Sequence, residues 1–201
     1  MKTLLCLFAL LFTAPPLLAT DFTAGQHFDV IADKASPDSG VVEFFSYFCP
    51  HCYQFESVVH QLKPTLPSDK AFSRAPVPFL GRSMGPELQK AYAMAVLLKV
   101  DDKITPALFN LIHQQRQAPQ SRDDVKKLFA AQGISNEQYD NNIDSMPVTL
   151  MVSEFDSAIE KFGIHAVPSF VVNGKYLVKV GSISSQQQFN ELVNYLLTLK
   201  D

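Results

Sequence analysis

Residues Val41 to Phe48 read Val-Val-Glu-Phe-Phe-Ser-Tyr-Phe, a β-branched and aromatic run that passes without a break into Cys49-Pro50-His51-Cys52. Preceded by the turn formers Pro37-Asp38-Ser39-Gly40, the run has the character of a central strand. Pro50 suits the first turn of a helix, where its missing N–H costs nothing. Tyr53, Phe55, Val58, Val59 and Leu62 then continue at helical spacing to a stop near Pro64. The chain must therefore place two cysteines at a strand-to-helix junction.

Those two are nearly all the cysteine it has. The third, Cys6, lies in an opening segment with a lysine at position 2, an apolar run from Leu4 to Phe12 and a small-residue end at Ala19. This is the pattern of an export signal cleaved after Ala19. A membrane span needs about 20 apolar residues, and the run is shorter and broken by Pro15-Pro16. Residues 20–201 then form the mature chain, sized for one domain or for a small domain carrying an insertion. Exported scaffolds usually gather several structural disulfides. A bridge between cysteines three positions apart constrains little of the unfolded chain, so the pair is better explained by chemistry than by stapling. With 17 basic against 20 acidic residues and no Lys/Arg cluster, the chain lacks the electrostatic footprint of a nucleic-acid binder.

The remaining pattern gives the order strand, strand, helix, strand, helical block, hairpin, helix. Ala71 to Phe79 reads as another strand, kept to an edge or cut short by its prolines. From about residue 81 to 163 the signals are helical: Leu88, Tyr92, Ala95 and Val96, then Thr105 as an N-cap with Pro106 at the first helical position. Ser121 with Asp124 and Ser135 with Gln138 read as capping boxes. Pro147 to Phe162 is a further helix ended by Gly163. Ser169 to Val172 and Lys175 to Val180 flank Asn173-Gly174 as a type I′ hairpin. Ser184 or Ser185 caps a last helix that carries Phe189, Leu192, Val193, Leu196 and Leu197 on one face.

A Cys-x-x-Cys at a helix start sets the first sulfur among unpaired N–H groups and the positive end of the dipole. Cys49 gains most as a thiolate, and Cys52, one turn in and more buried, is placed to resolve a mixed disulfide. His51 adds a donor or positive charge. At about 1.4 kcal/mol per pKa unit, a lowering of a few units stabilises the dithiol by several kcal/mol. A low-pKa sulfur leaves well and attacks weakly, so the expected direction is oxidant.

Rival readings are weaker. A closed zinc site needs four ligands, but there is no second cysteine pair, and His27, His60, His113 and His165 are scattered as surface or helix residues. No metal and no dissolved cofactor is expected. Glu43, a carboxylate inside an apolar strand, must find a partner or take up a proton; it is either a hydrogen-bonded structural group or a proton-transfer group near Cys52. Phe48 and Met84 fit an apolar patch for unfolded chains or ordinary core packing. A reductase or isomerase on the same fold, and a non-catalytic peptide-binding or metal-carrying module, are the competing functions.

Val42-Glu43-Phe44-Phe45-Ser46-Tyr47-Phe48-Cys49-Pro50-His51-Cys52-Tyr53-Gln54-Phe55-Glu56 closely resembles the active-site segment of the DsbA family of bacterial periplasmic thiol-disulfide interchange proteins. Gly163 to Tyr176, with Val167-Pro168 and Val172-Asn173-Gly174-Lys175-Tyr176, resembles that family's C-terminal hairpin. The resemblance implies an α/β thioredoxin-like fold with an all-helical insertion domain. It implies that Cys49 attacks and leaves, that Cys52 resolves, and that Val167-Pro168 is a cis peptide lining the substrate groove. Val167, where isomerase relatives typically carry Thr, favours oxidation, and an acid kept under the site favours a role for Glu43. Newly exported cysteine-containing proteins as substrates, a membrane quinone-linked reoxidant of DsbB type, a monomer and a periplasmic location are also implied.

Overall fold

The computed structural model describes residues 21–36 and 40–199. The expected export signal with Cys6, and Pro37, Asp38 and Ser39 of the expected turn, lie outside the described residues. A five-stranded mixed sheet forms the centre, built from β1 (Phe28–Val30), β2 (Gly40–Phe45), β3 (Ala71–Pro76), β4 (Ser169–Val172) and β5 (Tyr176–Val178) in the order β1-β5-β4-β2-β3. Only β2 and β3 run parallel, and the remaining pairs are antiparallel.

Within β2, Val41, Glu43, Phe44 and Phe45 are all buried, which accounts for the near-continuous apolar run. The strand ends at Phe45, earlier than its composition suggests. After it, the Ser46 carbonyl accepts from Cys49 N at 3.1 Å and the Ser46 hydroxyl accepts from Phe48 N at 3.2 Å. These local bonds turn the chain out of the ladder. Helix α1 (Pro50–Leu62) follows, with Pro50 in its first turn. β3 lies at the sheet edge and stops at Pro76, where a missing N–H costs least.

Helices α2 (Met84–Leu97), α3 (Asp101–Phe109), α4 (Arg122–Ala131), α5 (Asn136–Asn142) and α6 (Met146–Lys161) fill the stretch between β3 and β4. Both expected capping boxes form, at Ser121/Asp124 and Ser135/Gln138. Thr105 and Pro106, by contrast, lie inside α3 rather than at its start. Val100 is the N-cap residue of that helix, its carbonyl accepting from Lys103 N and Ile104 N at 3.0 Å each, and Asp101 and Asp102 complement the dipole in the first turn. Gly163 ends α6 with φ 60°. In the hairpin, Asn173 (φ 53°) and Gly174 (φ 62°) occupy the left-handed region that a type I′ turn requires. The ladder nevertheless pairs Val172 with Tyr176, leaving Lys175 as an extra residue. Ser185 caps α7 (Gln186–Thr198), whose five anticipated apolar residues are all buried.

Three cores result. α1 and α7 pack Val59, Leu62, Phe189 and Leu192 against Phe170 and Val172 on one sheet face. On the other, Phe155 and Ile159 of α6 and Phe162 just after it pack against Phe44, Ala75 and Val171. The third core joins Leu88, Phe109 and Phe129 of the helical block to Phe45, Tyr47, Cys49 and Cys52. Among the described residues no helix is long and apolar enough to cross a membrane.

Candidate active site

Cys49 is the N-cap of α1, in extended backbone, and its Sγ accepts from Cys52 N at 3.1 Å. A sulfur thus takes the place that a Ser or Asp oxygen usually fills. From the other side the Cys49 Sγ lies 3.4 Å from the Val167 carbonyl, which can accept from it only while the thiol is protonated, and the Val167–Pro168 peptide is cis. This contact leaves Cys49 only 6 % accessible, less open than a helix-start residue would suggest, while Cys52 is wholly buried. Both are free thiols, so this is the dithiol geometry.

The Cys49 thiol is lowered to about 6. Its largest cause is the hydrogen bond from the Cys52 thiol, which outweighs the opposing effect of burial; the amides of Cys52 and His51 and the charge of His51 add to it. The helix start therefore contributes through particular N–H groups, with Cys52 as the main donor. Cys52 is pushed far up for the matching reason: it gives its proton to the bond with Cys49, it is buried, and the charges of Cys49 and Glu43 oppose its ionisation. One proton thus sits on Cys52 while Cys49 carries the charge.

Glu43 is wholly buried, and the parallel register sets it beside Arg74. Its Oε2 accepts from Arg74 Nε at 2.6 Å, and Arg74 Nη2 donates to Glu56 Oε1. The guanidinium also lies over the Phe45 ring, 4.5 Å from its centroid. Burial pushes the Glu43 carboxyl up against the lowering effect of Arg74. Among the described residues its Oε1 has no hydrogen-bond partner. Glu43 is thus a partnered structural group, and its charge opposes ionisation of Cys52. Glu56 and Arg74 line a cleft of about 610 Å³ between α1, β3 and α3.

Other residues show no advance signal in the sequence. Arg74 becomes visible only through strand register. Thr105 faces the Tyr47 hydroxyl at 3.1 Å. His113, which reads as helix decoration, lies with Nε2 2.8 Å from the Tyr47 carbonyl and stacks on Tyr53. Pro50 and His51 are exposed beside the sulfur. Met84 is buried and the half-buried Phe48 packs on the same core, so core packing accounts for both.

A cysteine pair sharing one proton at a helix start, with a cis-proline loop against the first sulfur and a thioredoxin-type sheet beneath, defines a thiol-disulfide oxidoreductase. A family pattern described as "DSBA-like thioredoxin domain" matches residues 40–194. The chain belongs to the DsbA family. It is 35 % identical over 191 residues to the thiol:disulfide interchange protein DsbA of Pectobacterium carotovorum, covering 90 % of this chain and 91 % of the relative. With that of Haemophilus influenzae it shares 37 % over 163 residues, 80 % of this chain and 78 % of the relative. Among solved structures, Proteus mirabilis DsbA with a non-covalently bound peptide, PWATCDS, matches with TM-score 0.83 and 34 % identity, over 89 % of this chain and all of that one. The chain is accordingly a protein disulfide oxidoreductase of oxidative folding.

Proposed function

We propose that the oxidised Cys49–Cys52 pair is donated to newly exported proteins through a mixed disulfide at Cys49. A substrate thiolate attacks Cys49 Sγ, the Cys49–Cys52 bond breaks, and Cys52 leaves and takes a proton. A second substrate thiolate then attacks the substrate sulfur of the mixed disulfide, and Cys49 leaves as its anion. The substrate loses two electrons to the protein, which ends as the dithiol. What carries the reading is the stabilised Cys49 anion, because a sulfur that leaves easily makes a disulfide easy to surrender.

His51 and Pro50 shape the exposed side of this sulfur. The raised Glu43 carboxyl, whose Oε1 has no partner among the described residues, is the proton-transfer group for Cys52, with Arg74 and Glu56 linking it to the cleft. Val167 and Pro168 line the substrate groove, supported by the contact of the Val167 carbonyl with Cys49. Reoxidation falls to a membrane quinone-linked partner of DsbB type. The protein acts as a periplasmic monomer after cleavage at Ala19.

A glutathione redox titration combined with ultraviolet thiolate absorbance tests this. The expected result is a Cys49 titration well below that of free cysteine and an oxidising equilibrium. A potential as reducing as thioredoxin's would end the oxidant reading. With Cys52→Ser, Cys49 should attack a peptide whose cysteine is presented as a disulfide, displace the other sulfur as a thiolate, and hold the peptide as an unresolved mixed disulfide.

A further inference from the structure

Between α3 and α4 the chain makes one π-turn, Asn110–Gln114, in which Gln115 N bonds to the Asn110 carbonyl at 3.0 Å. Such a turn holds one residue more than an α-turn and redirects the side chains on it, and it recurs at functional sites. Here it brings His113 against both flanks of the cysteine motif. On one flank, His113 Nε2 is 2.8 Å from the carbonyl of Tyr47, two residues before Cys49. A carbonyl only accepts, so Nε2 carries the proton. On the other, the imidazole lies over the ring of Tyr53, next after Cys52, with centroids 5.1 Å apart and planes 10° from parallel. Gln114 Nε2 donates to the same Tyr53 hydroxyl at 2.9 Å.

The Tyr47 carbonyl belongs to a particular peptide. Ser46 to Cys49 is a four-residue turn closed by Cys49 N donating to the Ser46 carbonyl, and Tyr47–Phe48 is its middle peptide. The common four-residue turns differ chiefly in which way that middle peptide faces. Both of its ends are held: Phe48 N–H by the Ser46 hydroxyl, and Tyr47 C=O by His113. We propose that His113 is a positioning residue that fixes this peptide in the orientation presenting Cys49 to the start of α1. The helical block thereby sets the geometry of the redox turn from outside the sheet. The inference rests on the reading of Cys49 as the attacking sulfur.

The test uses the full mature chain with His113→Phe, which keeps a ring over Tyr53 and loses the donor, and His113→Gln, which loses the ring and keeps an amide donor. Thiolate absorbance against pH and the glutathione equilibrium are read for each. His113→Phe should raise the Cys49 midpoint by about half a pH unit, a roughly threefold loss of thiolate fraction in the acid limb. It should make the protein correspondingly less oxidising, whereas His113→Gln should stay near wild type. If His113→Phe titrates like wild type, or His113→Gln shifts as far as His113→Phe, the proposal is overturned. Nitrogen NMR of the wild-type ring decides it independently of any variant, since an Nδ1–H tautomer would exclude the hydrogen bond. A wild-type Cys49 that titrates as free cysteine would instead refute the parent reading, and that is seen before any variant is made.

Discussion

Lowering the pH from 8 to 5 should destabilise the dithiol form relative to the disulfide form, because only the dithiol has a Cys49 anion to lose. In the fold this thiol sits at about 6, against about 8.5 in an unfolded chain. A depressed acid adds stability above its unfolded pKa and loses it as pH falls through the folded value. For these two values the linkage gives about 1.4 kcal/mol at pH 7 and nearly nothing at pH 5. A rise of about 1 kcal/mol is therefore expected across this window. Cys52 is displaced upward, so below its unfolded pKa it stays protonated in both states and adds no slope there. Urea unfolding of the reduced and oxidised proteins at matched pH values isolates the effect, because every other titrating group cancels to first order in the difference. The reduced-minus-oxidised stability should rise by about 1 kcal/mol between pH 5 and 7, and the reduced Cys49→Ser protein should lack this rise. A flat difference across that window would refute the claim that the fold holds Cys49 as its anion.

Arg74→Ala leaves Glu43 and Glu56 without their shared cation, one of them wholly buried; a loss of about 3 kcal/mol in urea unfolding is expected, and less than about 1 would show that the pair is not energetically coupled. Gly81→Ala forces a side chain onto φ 84° and drives its Cβ into the Phe48 ring. A drop of about 1–3 kcal/mol should come with an altered Cys49 titration, since Phe48 precedes that residue, and an unchanged thermal midpoint would contradict the packing. Tyr47→Phe leaves the buried Thr105 hydroxyl without its partner at 3.1 Å, which should cost about 1 kcal/mol by denaturant unfolding, whereas a neutral or stabilising result would mean that the bond carries no net energy.

What the sequence reveals is mostly what neighbours along the chain decide. The burial of β2, the capping boxes at Ser121 and Ser135, the positive-φ pair Asn173-Gly174 and the apolar face of α7 all follow from local spacing. The cysteine motif at the start of α1 is legible for the same reason, its cap and first-turn proline being adjacent. The misjudged elements depend on distant partners. Thr105-Pro106 has the local form of a helix start, yet the helix begins at Asp101 and Thr105 is kept inside it facing Tyr47. Arg74 carries no mark in the sequence, and only the parallel register puts it beside Glu43. His113 gives no signal at all, because a π-turn leaves no spacing pattern in a single sequence. Even the cause of the Cys49 shift is partly non-local in kind: helix chemistry anticipates the amides, but the largest contribution comes from another side chain.

The core that encloses Cys52 is composed largely of residues from the helical block, among them Leu88, Phe109 and Phe129. That block is consequently one wall of the redox chamber rather than an ornament on a self-sufficient disulfide machine. Transplanting the tetrapeptide Cys49–Cys52 into a minimal sheet scaffold would carry over the helix cap and the bond between the two sulfurs, but not the dry enclosure that adds to it in keeping the second sulfur protonated. An engineer who wants this chemistry in a smaller protein would have to rebuild that enclosure from new material.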